Sequence, residues 1–176
     1  MVYLMILLAV FTTVASAGDA NLRDETIRRV RRKYPTVTQW SAAEAARRLA
    51  RPPESAPLLL DVRTREEFSV SHLPGASHVA PEAPAETVLA GVPINRTILL
   101  YCSVGYRSSA LAERLRRAGH PAVANLEGGI FQWASEGRPL MNETGSAFLV
   151  HGYSTAWALL LPPERRFLPA WAEADR

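Results

Sequence analysis

The sequence predicts an open α/β fold built on a mostly parallel sheet. Short apolar runs alternate with helix-like stretches over roughly 100 residues, the pattern of strands joined by helical crossovers. Two of those runs, 57–62 and 97–101, are apolar without a polar alternate until a charged or reactive residue closes them, as strands covered on both faces are. A length of 176 residues and a hydrophobic share of 48% suit one domain with terminal additions and exclude disorder over the whole chain.

In order along the chain, 37–40 reads as a short strand. Ser41-Ala42-Ala43-Glu44 reads as a capping box opening an Ala-rich helix that Arg51-Pro52-Pro53 ends. The 57–62 run closes on Asp61-Val62, and Thr64-Arg65-Glu66-Glu67 caps one or two further helical turns. Pro74-Gly75 marks a turn before a short strand at 77–79, and 83–89 reads as helix stopped by Gly91. The strand at 97–101 runs directly into Cys102. A helix over 108–118 follows, with Leu111, Leu115 and Ala118 inward, Arg114, Arg116 and Arg117 mainly outward, and Gly119 as its stop. A last strand at 122–125, a tight turn at Gly128-Gly129 and a short helix at 130–135 close the series. Residues 141–176 are less regular: 157–161 is apolar enough to pack back, whereas Pro162-Pro163 and Arg165-Arg166 favour an exposed end.

Residues 1–17 carry no charged side chain, are apolar over 2–11, and end in Ala15-Ser16-Ala17, a small-x-small signature for signal peptidase. The expectation is export to the periplasm with cleavage after Ala17. An uncleaved membrane anchor or a cytoplasmic protein is the alternative, because no Lys or Arg precedes the apolar run and Arg28, Arg29, Arg31, Arg32 and Lys33 follow it. That basic cluster, over 18–36, also reads as a solvated helix, since Asp24 and Glu25 stand four residues before Arg28 and Arg29. A net charge of +3 and a pI near 9.4 suit anionic small molecules, and no aromatic-plus-basic module for nucleic acid is present.

A single cysteine excludes an internal disulfide and a multi-cysteine metal site. His72 and His78 have no metal-ligand spacing with Cys102, and no cofactor is expected. A lone cysteine is ordinarily a small buried apolar side chain. Its position here, after a buried strand and before a helix, is where open α/β sheets expose reactive groups. In the loop Cys102-Ser103-Val104-Gly105-Tyr106-Arg107, followed by Ser108, backbone N–H groups can converge on an anion with the helix dipole behind them, a field that favours an anionic sulfur. Gly105 permits the turn, and Arg107 adds a fixed charge for a substrate oxyanion.

Cys-x-x-Gly-x-Arg-Ser after an apolar strand, preceded by Leu60-Asp61-Val62-Arg63 with Glu67-Phe68 and by His72-Leu73-Pro74-Gly75-Ala76, resembles the rhodanese family. Leu126-Glu127-Gly128-Gly129-Ile130-Phe131-Gln132-Trp133 is similar to that family's closing signature, so the resemblance spans 37–140. It implies a rhodanese-like sheet of about five strands with helices on both faces. It also implies a sulfurtransferase in which Cys102 takes sulfane sulfur from a thiosulfate-like donor, carries it as a persulfide and passes it to a thiol or cyanide. Residues 103–107 would bind the persulfide, with Asp61, Arg63 and Ser108 in support. Asp61 reads equally as the cap of the following turn, and Arg63 as a surface partner of Glu66 or Glu67.

The loop departs from the commonest single-domain pattern by having Ser103 and Val104 in its first variable positions, hence one cation fewer, and a bulkier or less charged donor than thiosulfate is an option. Two rivals remain. A phosphatase or arsenate reductase of the same superfamily has a loop one residue longer between Cys and Arg, and a non-catalytic binding or regulatory module is usually marked by loss of the cysteine that is present here. Trp133 reads as core, Tyr106 as rim or as packing against the tail, and His151 and Tyr153 as tail residues that could approach the site.

Overall fold

The computed structural model describes residues 17–170. Five parallel strands form the central sheet: β1 (Thr38–Trp40), β2 (Leu58–Asp61), β3 (Ser77–His78), β4 (Ile98–Tyr101) and β5 (Val123–Leu126), in the order β1-β5-β4-β2-β3. This is the open parallel sheet the alternating pattern predicts. β4 lies at its centre, and all four of its residues are buried.

The absence of polar alternation in β2 and β4 follows from cover on both faces. Leu59, Leu99 and Tyr101 pack on one side with α2 (Ala42–Leu49) and α6 (Gly129–Ser135). Leu60, Val62, Leu100 and Cys102 pack on the other with α4 (Ala85–Leu89) and with Leu111, Ala112 and Leu115 of α5 (Tyr106–Arg117). Ala118 lies one residue past the end of α5 and is exposed; Ala112 takes the inward place expected of it. Thr64 caps the short helix α3 (Arg65–Val70) with a complete box, Thr64 and Glu67 each satisfying the other's backbone N–H. At α2 only half of the expected box forms. Ser41 accepts from the Glu44 N–H, but the Glu44 carboxylate turns to Arg47 and Arg48.

Both terminal additions pack onto this core. The helix α1 (Ala17–Lys33) buries Thr26 and Val30; its Arg23 donates to the Leu160 carbonyl, and its Arg31 pairs with Glu127. Arg29 pairs with Glu25, as the spacing predicts. Residues 1–16, which carry most of the expected export segment, lie outside the described residues, among which no helix is long and apolar enough to cross a membrane.

The C-terminal extension is not the exposed end that Pro162-Pro163 and Arg165-Arg166 suggest. A hairpin of β6 (Leu140–Asn142) and β7 (Gly145–Ala147) joins the core through paired His72–Met141 backbone bonds. β8 (Val150–His151) pairs in parallel with β9 (Arg166–Phe167), and the short helix α7 (Thr155–Ala158) lies between them in sequence. Leu160 and Leu161 are buried with Val150 against the α2/α6 face of the sheet, so the proline pair ends a packed segment.

Candidate active site

The strand β4 delivers Cys102 to the carboxyl edge of the sheet. The register pairs Asp61 with Tyr101, and the Val62 N–H donates to the Tyr101 carbonyl, so Asp61-Val62-Arg63 lies alongside Tyr101-Cys102. The Cys102 sulfur accepts from the Gly105 N–H at 3.1 Å and from the Ser108 hydroxyl at 3.4 Å. Gly105 has φ +104, in the region that favours glycine, and a Cβ there would approach the Asn125 amide at 3.1 Å. It acts as the N-cap of α5, so the helix starts at Tyr106 rather than at 108 and brings its N-terminus up to the sulfur.

The other side of the loop is fixed by α6. The first N–H groups of a helix have no partner within it. Here the Ile130 N–H donates to the Cys102 carbonyl at 2.9 Å and the Phe131 N–H to the Ser103 carbonyl at 3.1 Å. The Gly128-Gly129 turn makes this approach possible: a Cβ on Gly129 would lie 2.2 Å from the Cys102 carbonyl oxygen.

Arg107 does not stand free for a substrate oxyanion as the sequence suggests. Its guanidinium holds both oxygens of Glu67, at 2.7 and 2.8 Å, and donates to the Ser103 hydroxyl at 3.0 Å. Ser103 in turn donates to Glu67 at 2.8 Å. Burial alone would raise the Glu67 carboxyl, but the Arg107 hydrogen bonds and charge override it and hold it at about 2. The Arg107 charge, disfavoured by burial, is stabilised by Glu67 and by the nearby Cys102. Glu67, which the sequence offers as a capping residue, as part of the Glu67-Phe68 motif and as a partner for Arg63, is thus the side chain that locks Ser103 and Arg107 to α3.

A consequence for stability follows. The Glu67 carboxyl sits below its ordinary 4.5 in the folded protein, so its contribution is complete above that pH and is lost as pH falls towards about 2. The shift corresponds to about 3 kcal/mol. In Glu67→Gln, denaturant unfolding should lose about that much stability near neutral pH and show a flatter dependence between pH 5 and pH 2.

Asp61 and Arg63 form a fully buried ion pair at 2.6 Å. Asp61 also accepts the Arg63 N–H, the turn-capping role open to it, while Arg63 donates to the Ser71 carbonyl. Arg63 is therefore no surface partner of Glu66 or Glu67; with Asp61 it braces the segment beside the cysteine loop.

Cys102 has only 1% of its surface exposed, yet it lines a cavity of about 380 Å³ together with Ser103, Val104, Tyr106 and Arg107. The outer wall combines Tyr153, which the sequence offers as a tail residue that could approach the site, with three residues that sequence reasoning did not bring there: Lys33 at the end of α1, Tyr34 just after it, and Trp157 from the extension. Tyr106 takes both roles open to it, lining the cavity and meeting the Trp157 ring edge-on at 6.4 Å. Tyr153 adopts φ +66, rare for a residue with a side chain, and its ring lies 5.1 Å from the Arg107 guanidinium. His151 is buried against Phe167, its pKa lowered chiefly by burial, and it accepts the Tyr153 N–H. Trp133 is core, its indole donating to the Pro139 carbonyl.

The rhodanese-like domain family matches residues 41–136, more than half of the chain. The chain belongs to that family. Among curated relatives of this rhodanese-like protein, a sulfurtransferase of Allochromatium vinosum is 34% identical over 92 residues, covering 50% of this chain and 81% of that one. The "Probable adenylyltransferase/sulfurtransferase MoeZ" of Mycobacterium tuberculosis is 35% identical over 85 residues, 47% of this chain, which spans about a fifth (21%) of that relative's length. Among solved structures, a rhodanese-like domain from Anabaena superposes with a TM-score of 0.53 at 28% identity, covering 59% of this chain and 78% of that one. A thiosulfate sulfurtransferase from Pseudomonas aeruginosa superposes at 0.58, covering 79% of this chain and 26% of that one; at 20% identity it is a likeness of fold. Lys33, Tyr34, Tyr153 and Trp157 lie outside the matched segment.

Proposed function

We propose that this rhodanese-like protein is a sulfurtransferase that moves sulfane sulfur through a persulfide on Cys102, from a small donor of which thiosulfate is the simplest to a thiol or to cyanide. The reading is carried by one observation: the Cys102 sulfur, at the N-terminus of α5, accepts from both the Gly105 N–H and the Ser108 hydroxyl. Both donors favour negative charge on sulfur, the form that attacks and the form the terminal persulfide sulfur takes. With thiosulfate, the Cys102 thiolate attacks the outer sulfur. The new S–S bond forms as the bond to the sulfonate breaks, and sulfite departs with its electron pair. An acceptor thiolate or cyanide then takes the outer sulfur and restores the Cys102 thiolate.

Such a scheme alternates two stable forms of the protein, so ping-pong kinetics are expected: varying donor at several fixed cyanide concentrations should give parallel double-reciprocal lines. Intersecting lines would speak against a covalent carrier. Turnover of arsenate or an aryl phosphate would support the phosphatase-like rival, whose loop is one residue longer than the four residues between Cys102 and Arg107.

We also propose that residues 1–17 are an export signal and that the domain works in the periplasm. Cleavage after Ala17 would leave α1 with its buried Thr26 and Val30 in place, and the recessed position of Cys102 would slow oxidation of a lone thiol outside the cytoplasm. N-terminal sequencing of the protein recovered from a periplasmic extract should begin at Gly18; recovery of the intact N-terminus with the membrane fraction would favour the anchor.

A further inference from the structure

The outer half of the Cys102 cavity has a chemistry that thiosulfate does not call for. Its volume of about 380 Å³ lies within the range of sites for small organic ligands, and four aromatic side chains surround it: Tyr34, Tyr106, Tyr153 and Trp157. Their rings offer flat apolar area, and the polar atoms they add are neutral hydroxyl and indole donors rather than a second cation for an inorganic dianion. The loop adds backbone N–H groups and the Ser108 hydroxyl, but its one cation is committed, because Glu67 and Ser103 engage the Arg107 guanidinium. A doubly charged donor would lose water there against an ion pair already satisfied.

One cation remains at the rim. The Lys33 ammonium lies 5.6 Å from the centroids of both Tyr34 and Tyr106, and it has no carboxylate partner among the described residues. Tyr153 is held in place at the cost of a left-handed backbone, the kind of local strain that persists where surrounding structure enforces it. Gly152 beside it approaches Ala158 so closely that a Cβ would lie 2.7 Å from the Ala158 Cβ, which fixes the turn against α7.

We propose that Lys33, Tyr34, Tyr153 and Trp157 make this site selective for a small organic persulfide with an apolar body and one carboxylate, in preference to thiosulfate. It rests on Cys102 carrying sulfane sulfur. The body lies among the aromatic rings and the carboxylate reaches Lys33, leaving the terminal sulfur directed at Cys102. Transfer is balanced without an added redox partner: the Cys102 thiolate attacks the outer sulfur of R–S–S⁻, a new S–S bond to Cys102 forms, the donor's own S–S bond breaks, and R–S⁻ leaves with the electron pair.

The test compares kcat/KM for sulfur loading of the full chain by para-carboxybenzyl persulfide, its carboxamide analogue and thiosulfate. The carboxylate should exceed thiosulfate by about tenfold or more and its amide by about threefold. In Lys33→Met the carboxylate and amide should become equal, whereas Lys33→Arg should keep the difference. Trp157→Leu should lower the ratio of carboxybenzyl persulfide to thiosulfate by about tenfold. Lys33 is exposed, so its variants test the proposal even if Trp157→Leu loosens the extension. Thiosulfate equal to or better than the organic donor, or a carboxylate preference that survives Lys33→Met, would overturn the proposal while leaving the Cys102 persulfide intact. Failure of all three donors to load Cys102 would instead remove the reading on which it rests.

Discussion

Replacing Cys102 by serine should reduce sulfur transfer to background, a loss on the order of 10,000-fold or more, comparable to removal of other essential nucleophiles. The fold should survive. The side chain is nearly the same size, and an oxygen at the sulfur position can still accept from the Gly105 N–H and the Ser108 hydroxyl. The expected cost in stability is about 1 kcal/mol, measured by denaturant unfolding. An alkoxide is far harder to form than a thiolate, so the same cradle that suits sulfur does nothing for serine. Retained turnover in a folded Cys102→Ser protein would remove the covalent mechanism.

The second large effect is expected at a residue that touches no substrate. Gly129→Ala places a Cβ 2.2 Å from the Cys102 carbonyl oxygen and 2.6 Å from that of Ser103, both backbone atoms that cannot swing aside. The residue also has φ +57, where a side chain is strained. Together these should destabilise the protein by roughly 2–5 kcal/mol. The loop carrying Cys102 would be pushed off the Ile130 and Phe131 N–H groups that hold its carbonyls, so activity per folded molecule should fall as well. Gly137→Ala is the control: it has φ +70 but open space around the new Cβ, so only the backbone strain of about 1 kcal/mol applies. Equal effects of the two substitutions on melting temperature would show that the α6 approach does not hold the loop.

The sheet was legible because its central strands are covered on both faces, which makes 57–62 and 97–101 continuous apolar runs, and Cys102 at the end of one marked the site. The Thr64 box was legible because its partners are three residues apart. What could not be read depends on partners far apart in sequence. Arg107 and Glu67 are 40 residues apart, and nothing local to either says that the loop cation is already engaged; the one available signal was a Glu whose capping role left a carboxylate oxygen to spare. The cavity wall is less legible still, since Lys33 and Trp157 come from opposite ends of the chain and meet only because α1 and the extension both fold back. Pro162-Pro163 and Arg165-Arg166 misled for a local reason: they signal an end to the apolar 157–161 segment, and that is silent on whether the segment packs, as Leu160 and Leu161 do.

The central claim is that Cys102 carries the transferred sulfur, and the intact mass of the purified protein tests it most directly. Incubation with a sulfane donor should add about 32 Da, the mass of one sulfur, cyanide should remove it with release of thiocyanate, and Cys102→Ser should show neither change. A protein that gains no sulfur from thiosulfate or from any organic persulfide, or that gains it equally in Cys102→Ser, would contradict the account.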